Sequence, residues 1–263
     1  MPDQIAVPEH DGLPLEFPRP WTERYLPWAS PAARNRALQV WESFPHRADV
    51  RDPAGYARGL RLAWRLFGTY TMLFPLRART LYRLARRADR EGIPGALVDC
   101  GTWNGGSTAL MSAGSPQRPI WAFDSFAGTS RATEEDGLAP DELAFSAGQC
   151  RGEEAVLREV VARFGSPANL HVRAGWFDDT LAPAAPEVGP ISLLHVDADW
   201  YEPVLLALET FYPQVSPGGW IVIDDYGALP GAARATEEFR KRVGDRAPLV
   251  TIDQTGRYWR KPH

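Results

Sequence analysis

Residues 191–201 read ISLLHVDADWY, an apolar run of strand length that stops at two aspartates placed two residues apart. The same pattern recurs in residues 220–226, which read WIVIDDY. Short runs of β-branched and other apolar residues are typical of buried strands. Two such strands, running in parallel, would bring both aspartate pairs to one edge of a sheet. The pairs are Asp197 with Asp199, and Asp224 with Asp225.

The two aspartate pairs indicate a metal site. Four carboxylates at one sheet edge repel one another unless a cation or shared protons offset their charge. Ligand sets made only of oxygen favour a hard cation such as Mg²⁺ over zinc. One aspartate at a strand end is an ordinary cap for the following loop, but two pairs are harder to explain in this way. We expect His195 and His171 to be packed, hydrogen-bonded residues and not ligands.

Strand and helix patterns alternate from residue 96 to residue 260. This alternation predicts an α/β, Rossmann-like fold with helices on both faces of a seven-stranded, mostly parallel sheet. Gly256 lies in the turn of a predicted antiparallel C-terminal hairpin. The predicted strands span 96–100, 120–123, 170–174, 191–196, 220–223, 249–252 and 257–260, and the predicted helices span 107–113, 153–164, 203–212 and 232–243.

The first part of the chain differs from this alternating region. We divide the chain into an N-terminal arm, residues 1–75, and a Rossmann-like domain, residues 76–263. The arm is rich in proline and aromatic residues, which leave room for only a short helix, over 31–44. Apolar residues recur at helical spacing over 56–74. An amphipathic helix over 77–91 is expected to turn its arginines to solvent.

A glycine-rich turn follows the first predicted strand, where residues 99–107 read DCGTWNGGS. Glycines allow a tight turn and a close approach of the backbone to a ligand. The spacing is not G-x-G-x-x-G and the lysine of a P-loop is missing, so a nucleoside fits better than a dinucleotide. Asp124, at the end of the second strand, can accept hydrogen bonds from ribose hydroxyls. The alternatives are a turn without a ligand, and a cap made by Asp124 with Ser125.

Composition sets limits on the partners. The chain has 263 residues with a formal net charge of −4, so no basic surface indicates nucleic acid or an anionic membrane. No apolar run approaches the roughly 20 residues needed to span a bilayer, and the N-terminus does not resemble a secretory signal. The two cysteines, Cys100 and Cys150, form no disulfide framework. We therefore expect a cytoplasmic protein without nucleic-acid or membrane partners.

Together these motifs resemble the macrocin O-methyltransferase (TylF/MycF/NovP-type) family of S-adenosylmethionine-dependent, Mg²⁺-dependent sugar O-methyltransferases. The resemblance covers roughly residue 70 to the C-terminus. In this family, arginine is usual at the position of Asn104. The motifs that carry the resemblance are IPG at 93–95, GTWNGGS at 101–107, FDSFAG at 123–128, HVDADWY at 195–201 and PGGWIVIDDY at 217–226.

The resemblance implies a class I methyltransferase fold and a role for each motif. S-adenosylmethionine and Mg²⁺ are the implied cofactors. Asp199 is the implied general base, although Asp197 and Asp199 could exchange roles without any change visible in the sequence. The implied metal ligands are Asp197, Asp224 and Asp225. The implied cofactor-binding residues are Gly101, Thr102, Trp103, Gly105, Ser107, Asp124, Ser125, Gly175, Trp176 and Asp197.

The implied activity is O-methylation of a sugar hydroxyl in a natural-product, antibiotic-type glycoside. One alternative acceptor is a non-sugar hydroxyl. A second alternative is a glycosyltransferase, because Asp197 and Asp199 also form a D-x-D motif, and a third is a catalytically silent binding module. The expected partners are a small-molecule glycoside and a second copy of the chain, in a homodimer or a higher homo-oligomer. In relatives the region that corresponds to the arm helps to cover the substrate.

Overall fold

The computed structural model describes residues 52–138 and 147–262, which form one sheet flanked by helices. The helix predicted over 31–44 lies outside these ranges, as does most of the N-terminal arm. The strands are β1 (Ala96–Cys100), β2 (Ile120–Asp124), β3 (Leu170–Ala174), β4 (Ile191–Val196), β5 (Val215–Ile223), β6 (Val250–Thr251) and β7 (Arg257–Arg260). The helices are α1 (Pro53–Leu66), α2 (Pro75–Arg90), α3 (Gly106–Gly114), α4 (Glu154–Phe164), α5 (Phe177–Val188), α6 (Tyr201–Phe211) and α7 (Pro230–Val243).

The sheet has the strand order β3-β2-β1-β4-β5-β7-β6. Strands β1 to β5 pair in parallel, whereas β7 runs antiparallel to both β5 and β6. The predicted α/β, Rossmann-like fold with an antiparallel C-terminal hairpin is thereby confirmed. The order in which strands are added to the sheet reverses between the neighbours β1 and β4. At such a reversal a crevice opens beyond the carboxyl ends of the strands. In the part of the chain described, no helix is long and apolar enough to cross a membrane.

Both faces of the central strands are buried, which explains their continuous apolar sequences. Leu97 and Leu193 pack with residues of α1, α2, α3 and α4 on one face. Val98 and Leu194 pack with residues of α5, α6 and α7 on the other face. Because successive side chains alternate between faces, each strand contributes to both apolar layers. Helices thus pack on both faces of the sheet, and the packed strands position the residues at its carboxyl edge.

Two helices differ from the sequence prediction. Helix α1 ends at Leu66, although apolar spacing of helical type continues to residue 74. Its end coincides with Gly68, which has a φ of 75°, and with a β-bridge between Phe67 and Thr71. Helix α5 was not predicted, because two prolines, Pro183 and Pro186, lie inside it and proline disfavours helix interiors.

The expectation that the arginines of α2 face solvent is wrong for two of them. Arg77 and Arg79 are only 5% and 2% exposed. The guanidinium of Arg79 lies 4.5 Å from the ring centre of Tyr56, so an aromatic face of α1 covers it. Arg77 is directed instead to the carboxyl edge of the sheet, where it contacts two aspartates. Helix α2 therefore contributes to the site as well as to the core.

Candidate active site

A cavity of about 430 Å³ lies beyond the carboxyl ends of β1, β2 and β4. Its lining combines residues that the sequence singled out with residues that it did not. The predicted residues that line it are Gly101, Trp103, Asp124, Ser125, Trp176, Asp197 and Asp199. Those that sequence reasoning missed include Met72, Arg131, Cys150, Glu202 and Leu206, which carry no motif of their own.

Gly101 begins the loop after β1 in a conformation that requires glycine. Its φ is 85°, and a Cβ atom there would lie 1.6 Å from the carbonyl oxygen of Asp197. Gly105, with a φ of 83°, is the N-cap residue of α3, and a Cβ there would lie 2.8 Å from Leu157. The loop is therefore packed against β4 on one side and α4 on the other. Glycine at these two positions follows from the close approaches.

Asp124 holds the glycine loop through backbone hydrogen bonds. Its Oδ2 accepts from the amides of Thr102 and Trp103, each at 2.7 Å, and its Oδ1 accepts from the amide of Phe126, also at 2.7 Å. Burial raises the pKa of Asp124, and the three amides oppose that rise. Each carboxylate oxygen has two lone pairs, so Oδ1 keeps one for a ligand hydroxyl. The main-chain oxygen of Asp124 accepts from Gly175, which ties the loop after β3 to the same edge.

Several residues of the glycine loop and of the helix after it make hydrogen bonds that hold the loop in place. Ser107 donates its hydroxyl proton to Asp99, and the indole of Trp103 donates to the carbonyl of Arg151 at 3.0 Å. Asn104 accepts from the amide of Glu153 at 3.3 Å, so this residue tethers the loop to the start of α4. Among the predicted site residues, those outside the lining are Thr102, Gly105, Ser107, Gly175, Asp224 and Asp225.

Backbone strain is concentrated at the cavity. Within residues 52–138 and 147–262, four non-glycine residues have a positive φ. Three of them line the cavity, and the fourth follows Ser125. Such conformations cost on the order of 1–3 kcal/mol each and persist where the surrounding structure imposes them, often at functional sites. They are Trp103 (46°), Phe126 (51°), Cys150 (53°) and Asp199 (58°).

The four strand-end aspartates lie together, as their spacing predicts. Burial, followed by repulsion from neighbouring carboxylates, raises the pKa of Asp197 well above its usual range. The same causes raise the pKa of Asp225 well above its usual range and that of Asp199 to about 6. The cluster therefore carries more negative charge than its buried surroundings favour. A bound divalent cation would relieve this repulsion.

The guanidinium of Arg77 supplies part of the positive charge that offsets these carboxylates. Its Nη1 donates to the Asp224 side chain and, at 3.2 Å, to the Asp224 carbonyl, while its Nε donates to Asp253 at 2.9 Å. Both ion pairs are almost fully buried. A single guanidinium shared with Asp253 cannot neutralise four carboxylates. No feature of the sequence separates Arg77 from the other arginines of α2.

His195 lies beside the aspartates at the end of β4. Its Nδ1 is 2.7 Å from Asp99 Oδ1, in keeping with the expected packed histidine. One of its ring nitrogens also forms a group with carboxylate oxygens of Asp197 and Asp224, all within 4.8 Å of one another. Asp225, a predicted ligand, is not a member of that group. In the described ranges, three buried atoms here have no hydrogen-bond partner: His195 Nε2, Asp224 Oδ1 and Asp225 Oδ2. The two orphaned carboxylate oxygens fit a site that is completed by a cation.

Comparison with known proteins places this site in context. The sequence model of the family described as macrocin-O-methyltransferase (TylF) matches residues 28–261. A Streptomyces olivaceus protein, 8-demethyl-8-(2,3-dimethoxy-alpha-L-rhamnosyl)-tetracenomycin-C 4'-O-methyltransferase, is 37% identical over 180 residues, which cover 65% of this chain and 67% of the relative. Demethyldecarbamoylnovobiocin O-methyltransferase from Streptomyces niveus is 33% identical over 202 residues, which cover 73% and 76%.

Solved structures agree with this match. The O-methyltransferase NovP superposes with a TM-score of 0.67 at 26% identity, over 87% of this chain and 96% of NovP. An O-methyltransferase from Bacillus cereus, solved with S-adenosylhomocysteine (SAH), has a TM-score of 0.53 at 16% identity, over 86% and 97%. At that identity the second likeness concerns the fold alone.

Proposed function

Because the chain belongs to the macrocin-O-methyltransferase (TylF) family, and is thus an O-methyltransferase, we propose that it methylates a sugar hydroxyl of a natural-product glycoside, with S-adenosylmethionine as donor and Mg²⁺ as metal. One observation carries the proposal. The glycine loop, Asp124, Asp197 and Asp199 meet at one cavity, and Asp224 and Asp225 lie beside Asp197, so a donor and a metal-bound acceptor can lie side by side. Family membership favours methyl transfer over the glycosyl transfer that a D-x-D motif also fits.

The donor side is formed by the loops after β1, β2 and β3. When bound, S-adenosylmethionine supplies an electrophilic methyl group on a positively charged sulfur. Asp124 can accept a hydrogen bond from a ribose hydroxyl through its remaining lone pair. Gly101 lets the backbone approach the ligand, and Trp176, which is 43% exposed at the cavity, offers an aromatic face to it. The acidic lining attracts a cationic donor.

The metal side is formed by the ends of β4 and β5. Asp197, Asp224 and Asp225 would hold Mg²⁺, since their oxygens are the ligands that a hard cation prefers. When bound, Mg²⁺ would supply stabilisation of the negative charge that develops on the acceptor oxygen. Arg77 keeps Asp224 in place through its buried ion pair. The orphaned oxygens of Asp224 and Asp225 support this assignment.

Asp199 would act as the general base. It lines the cavity, one alternate position beyond Asp197, and its raised pKa suits a group that takes a proton near neutral pH. The positive φ of Asp199 turns the backbone between β4 and α6. Asp199 would take the hydroxyl proton of the acceptor, and the donor, when bound, would supply both the methyl group and the leaving thioether, whose sulfur keeps the electron pair of the broken S–C bond. Proximity of the reactants in one cavity supplies a further part of the rate.

The charge of the cavity favours an uncharged acceptor. In the part of the lining that the structure describes, five side chains are acidic and one, Arg131, is basic. An anionic acceptor would be repelled by this lining, whereas a neutral sugar hydroxyl would not. The relative from Streptomyces olivaceus is named for a rhamnosyl tetracenomycin acceptor, which is a glycoside.

Mass spectrometry tests the proposal. Neutral antibiotic glycosides are incubated with the protein and S-adenosylmethionine, with EDTA or with excess Mg²⁺. We expect one methyl group to be added to the sugar, and we expect EDTA to abolish the gain until Mg²⁺ is restored. Methylation that persists in EDTA would contradict the metal assignment. A methyl group found only on the aglycone would contradict the sugar assignment.

A further inference from the structure

His195 connects the donor side of the site to the metal side. It lies in β4 between Asp99 of β1 and Val222 of β5, in register with both. Its ring is fully buried, and Asp99 is fully buried as well. A buried polar ring in a strand needs partners for both nitrogens. Only one of them has a partner in the region that the structure describes.

Asp99 fixes the orientation of the ring. Asp99 Oδ1 accepts from His195 Nδ1 at 2.7 Å, and Asp99 Oδ2 accepts from the hydroxyls of Ser107 at 2.8 Å and Thr108 at 2.6 Å. Ser107 and Thr108 belong to the first turn of α3, directly after the glycine loop. These three hydrogen bonds fix the orientation of the buried Asp99 carboxylate. The other nitrogen, Nε2, is consequently held in a single direction.

That direction is toward Asp224. His195 Nε2 lies 4.0 Å from Asp224 Oδ1, and both atoms are buried without a hydrogen-bond partner among the described residues. Arg77 contacts the other oxygen, Oδ2. The carboxylate of Asp224 thus lies between a guanidinium on one side and an imidazole edge on the other. An unsatisfied buried polar atom destabilises the fold, so a residue that served only to fill the core would be better replaced by an apolar one.

We propose that His195 is a positioning residue: oriented by Asp99, it fixes the carboxylate of Asp224 for metal binding. The inference rests on the proposed metal site and adds a residue to it that does not itself ligate the metal. Residues that orient a metal ligand typically contribute 10- to 100-fold to metal affinity. Since Asp99 also holds the first turn of α3, the same pair of residues joins the donor loop to the metal carboxylate.

Two substitutions at His195 test the roles of its two ring nitrogens separately. In His195→Asn the side-chain amide reaches the position of Nδ1 and keeps the bond to Asp99, but nothing reaches toward Asp224. In His195→Gln the amide reaches the position of Nε2, and the bond to Asp99 is lost. Mn²⁺ binding to the full chain is measured from the electron paramagnetic resonance signal of the free ion. His171→Asn is the control, because that ring stacks on Trp121 at 4.3 Å, away from the aspartates.

We expect His195→Asn to weaken Mn²⁺ binding by about 10- to 100-fold, with normal binding of SAH in the absence of metal. We expect His195→Gln to retain more of the affinity, and His171→Asn to match the wild type. Equal Mn²⁺ affinity in folded wild type and His195→Asn would overturn the proposal. If the wild type binds no Mn²⁺, the result contradicts both the proposed metal site and the role of His195.

A measurement on the wild type keeps the proposal testable if the variants do not fold. Electron spin-echo modulation of bound Mn²⁺, compared between unlabelled protein and protein with ¹⁵N-histidine, detects a nitrogen in the first coordination shell. We expect the modulation to lack the strong nitrogen coupling that an imidazole ligand of Mn²⁺ would give. A strong coupling that changes with the label would make His195 a ligand and overturn the positioning role.

Discussion

Asp199 is the residue on which the proposed proton transfer depends. It lines the cavity and carries a positive φ, so its carboxylate is set by the backbone turn between β4 and α6. We predict that Asp199→Asn lowers turnover by roughly 10²- to 10⁴-fold, because the amide cannot accept the hydroxyl proton. Single-turnover kinetics would measure the loss, and calorimetry with SAH and Mg²⁺ would verify that both still bind.

The same variant resolves the open roles of Asp197 and Asp199. If Asp199→Asn loses Mg²⁺ binding instead of turnover alone, then Asp199 belongs to the ligand set and Asp197 becomes the candidate base. Turnover close to that of the wild type would exclude Asp199 from proton transfer altogether.

The loss of Arg77 should lower stability markedly. It is paired with Asp224 and Asp253, and all three side chains are buried. We predict that Arg77→Met lowers the free energy of unfolding by about 3–5 kcal/mol, since two carboxylates remain buried without their cation. Urea denaturation without divalent metal would measure this change.

Arg158 offers a matched control for Arg77. Its ion pair with Glu154 joins two half-exposed side chains one helical turn apart. Arg158→Met should cost less than about 1 kcal/mol, as expected for a surface pair. Equal losses in the two variants would mean that the buried pairs of Arg77 contribute no more than a surface pair does.

At the scale of elements, the junction of β1 and α3 depends on a glycine. A Cβ atom on Gly101 would collide with the carbonyl oxygen of Asp197, and the φ of 85° adds strain for any other residue. We predict that Gly101→Ala displaces the loop from β4, with a stability loss greater than the roughly 1–2 kcal/mol of left-handed backbone alone and with loss of SAH binding. Thermal unfolding and calorimetry measure the two effects.

Gly92 is the control for that substitution. It also has a positive φ, 65°, but a Cβ there would meet no atom within 4 Å. Gly92→Ala should cost only the backbone strain, about 1–2 kcal/mol, with unchanged SAH binding. If both alanine variants bind SAH normally, the close approach of Gly101 to Asp197 has no part in forming the donor site.

At the scale of the whole molecule, metal binding should stabilise the fold. The aspartates repel one another across the ends of β4 and β5, so a cation that binds only the native protein raises its stability. At a Mg²⁺ concentration about 100 times Kd, we predict a gain of about 2.7 kcal/mol, seen as a higher Tm. Asp224→Asn should remove most of this gain. An identical Mg²⁺ shift in the variant would place the ion elsewhere.

Assembly and the role of the N-terminal arm stay predictions. Most of the arm, residues 1–51, lies outside the part of the chain that the structure describes. Sedimentation of the full chain, with and without residues 1–51, would measure both the oligomeric state and the contribution of the arm to it.

The sequence alone determined those features that depend on neighbours along the chain. The apolar runs ending at Asp197 and Asp224, and the glycine turn before Ser107, are local patterns with a direct physical meaning. From them the parallel sheet and the edge that carries the aspartates were predicted correctly, although β5 begins at Val215 and not at the predicted residue 220. The resemblance to a methyltransferase family followed from the same motifs.

Only the tertiary structure decided which distant side chains complete the site. Arg77 and Asp224 are 147 positions apart, and His195 and Asp99 are 96 apart, so no local pattern joins them. Arg77 looks like any surface arginine of an amphipathic helix until α2 packs on the sheet and buries it. The physical reason is that a buried ion pair or hydrogen bond depends on folding to remove water from both partners, and that removal is a property of the packed layers.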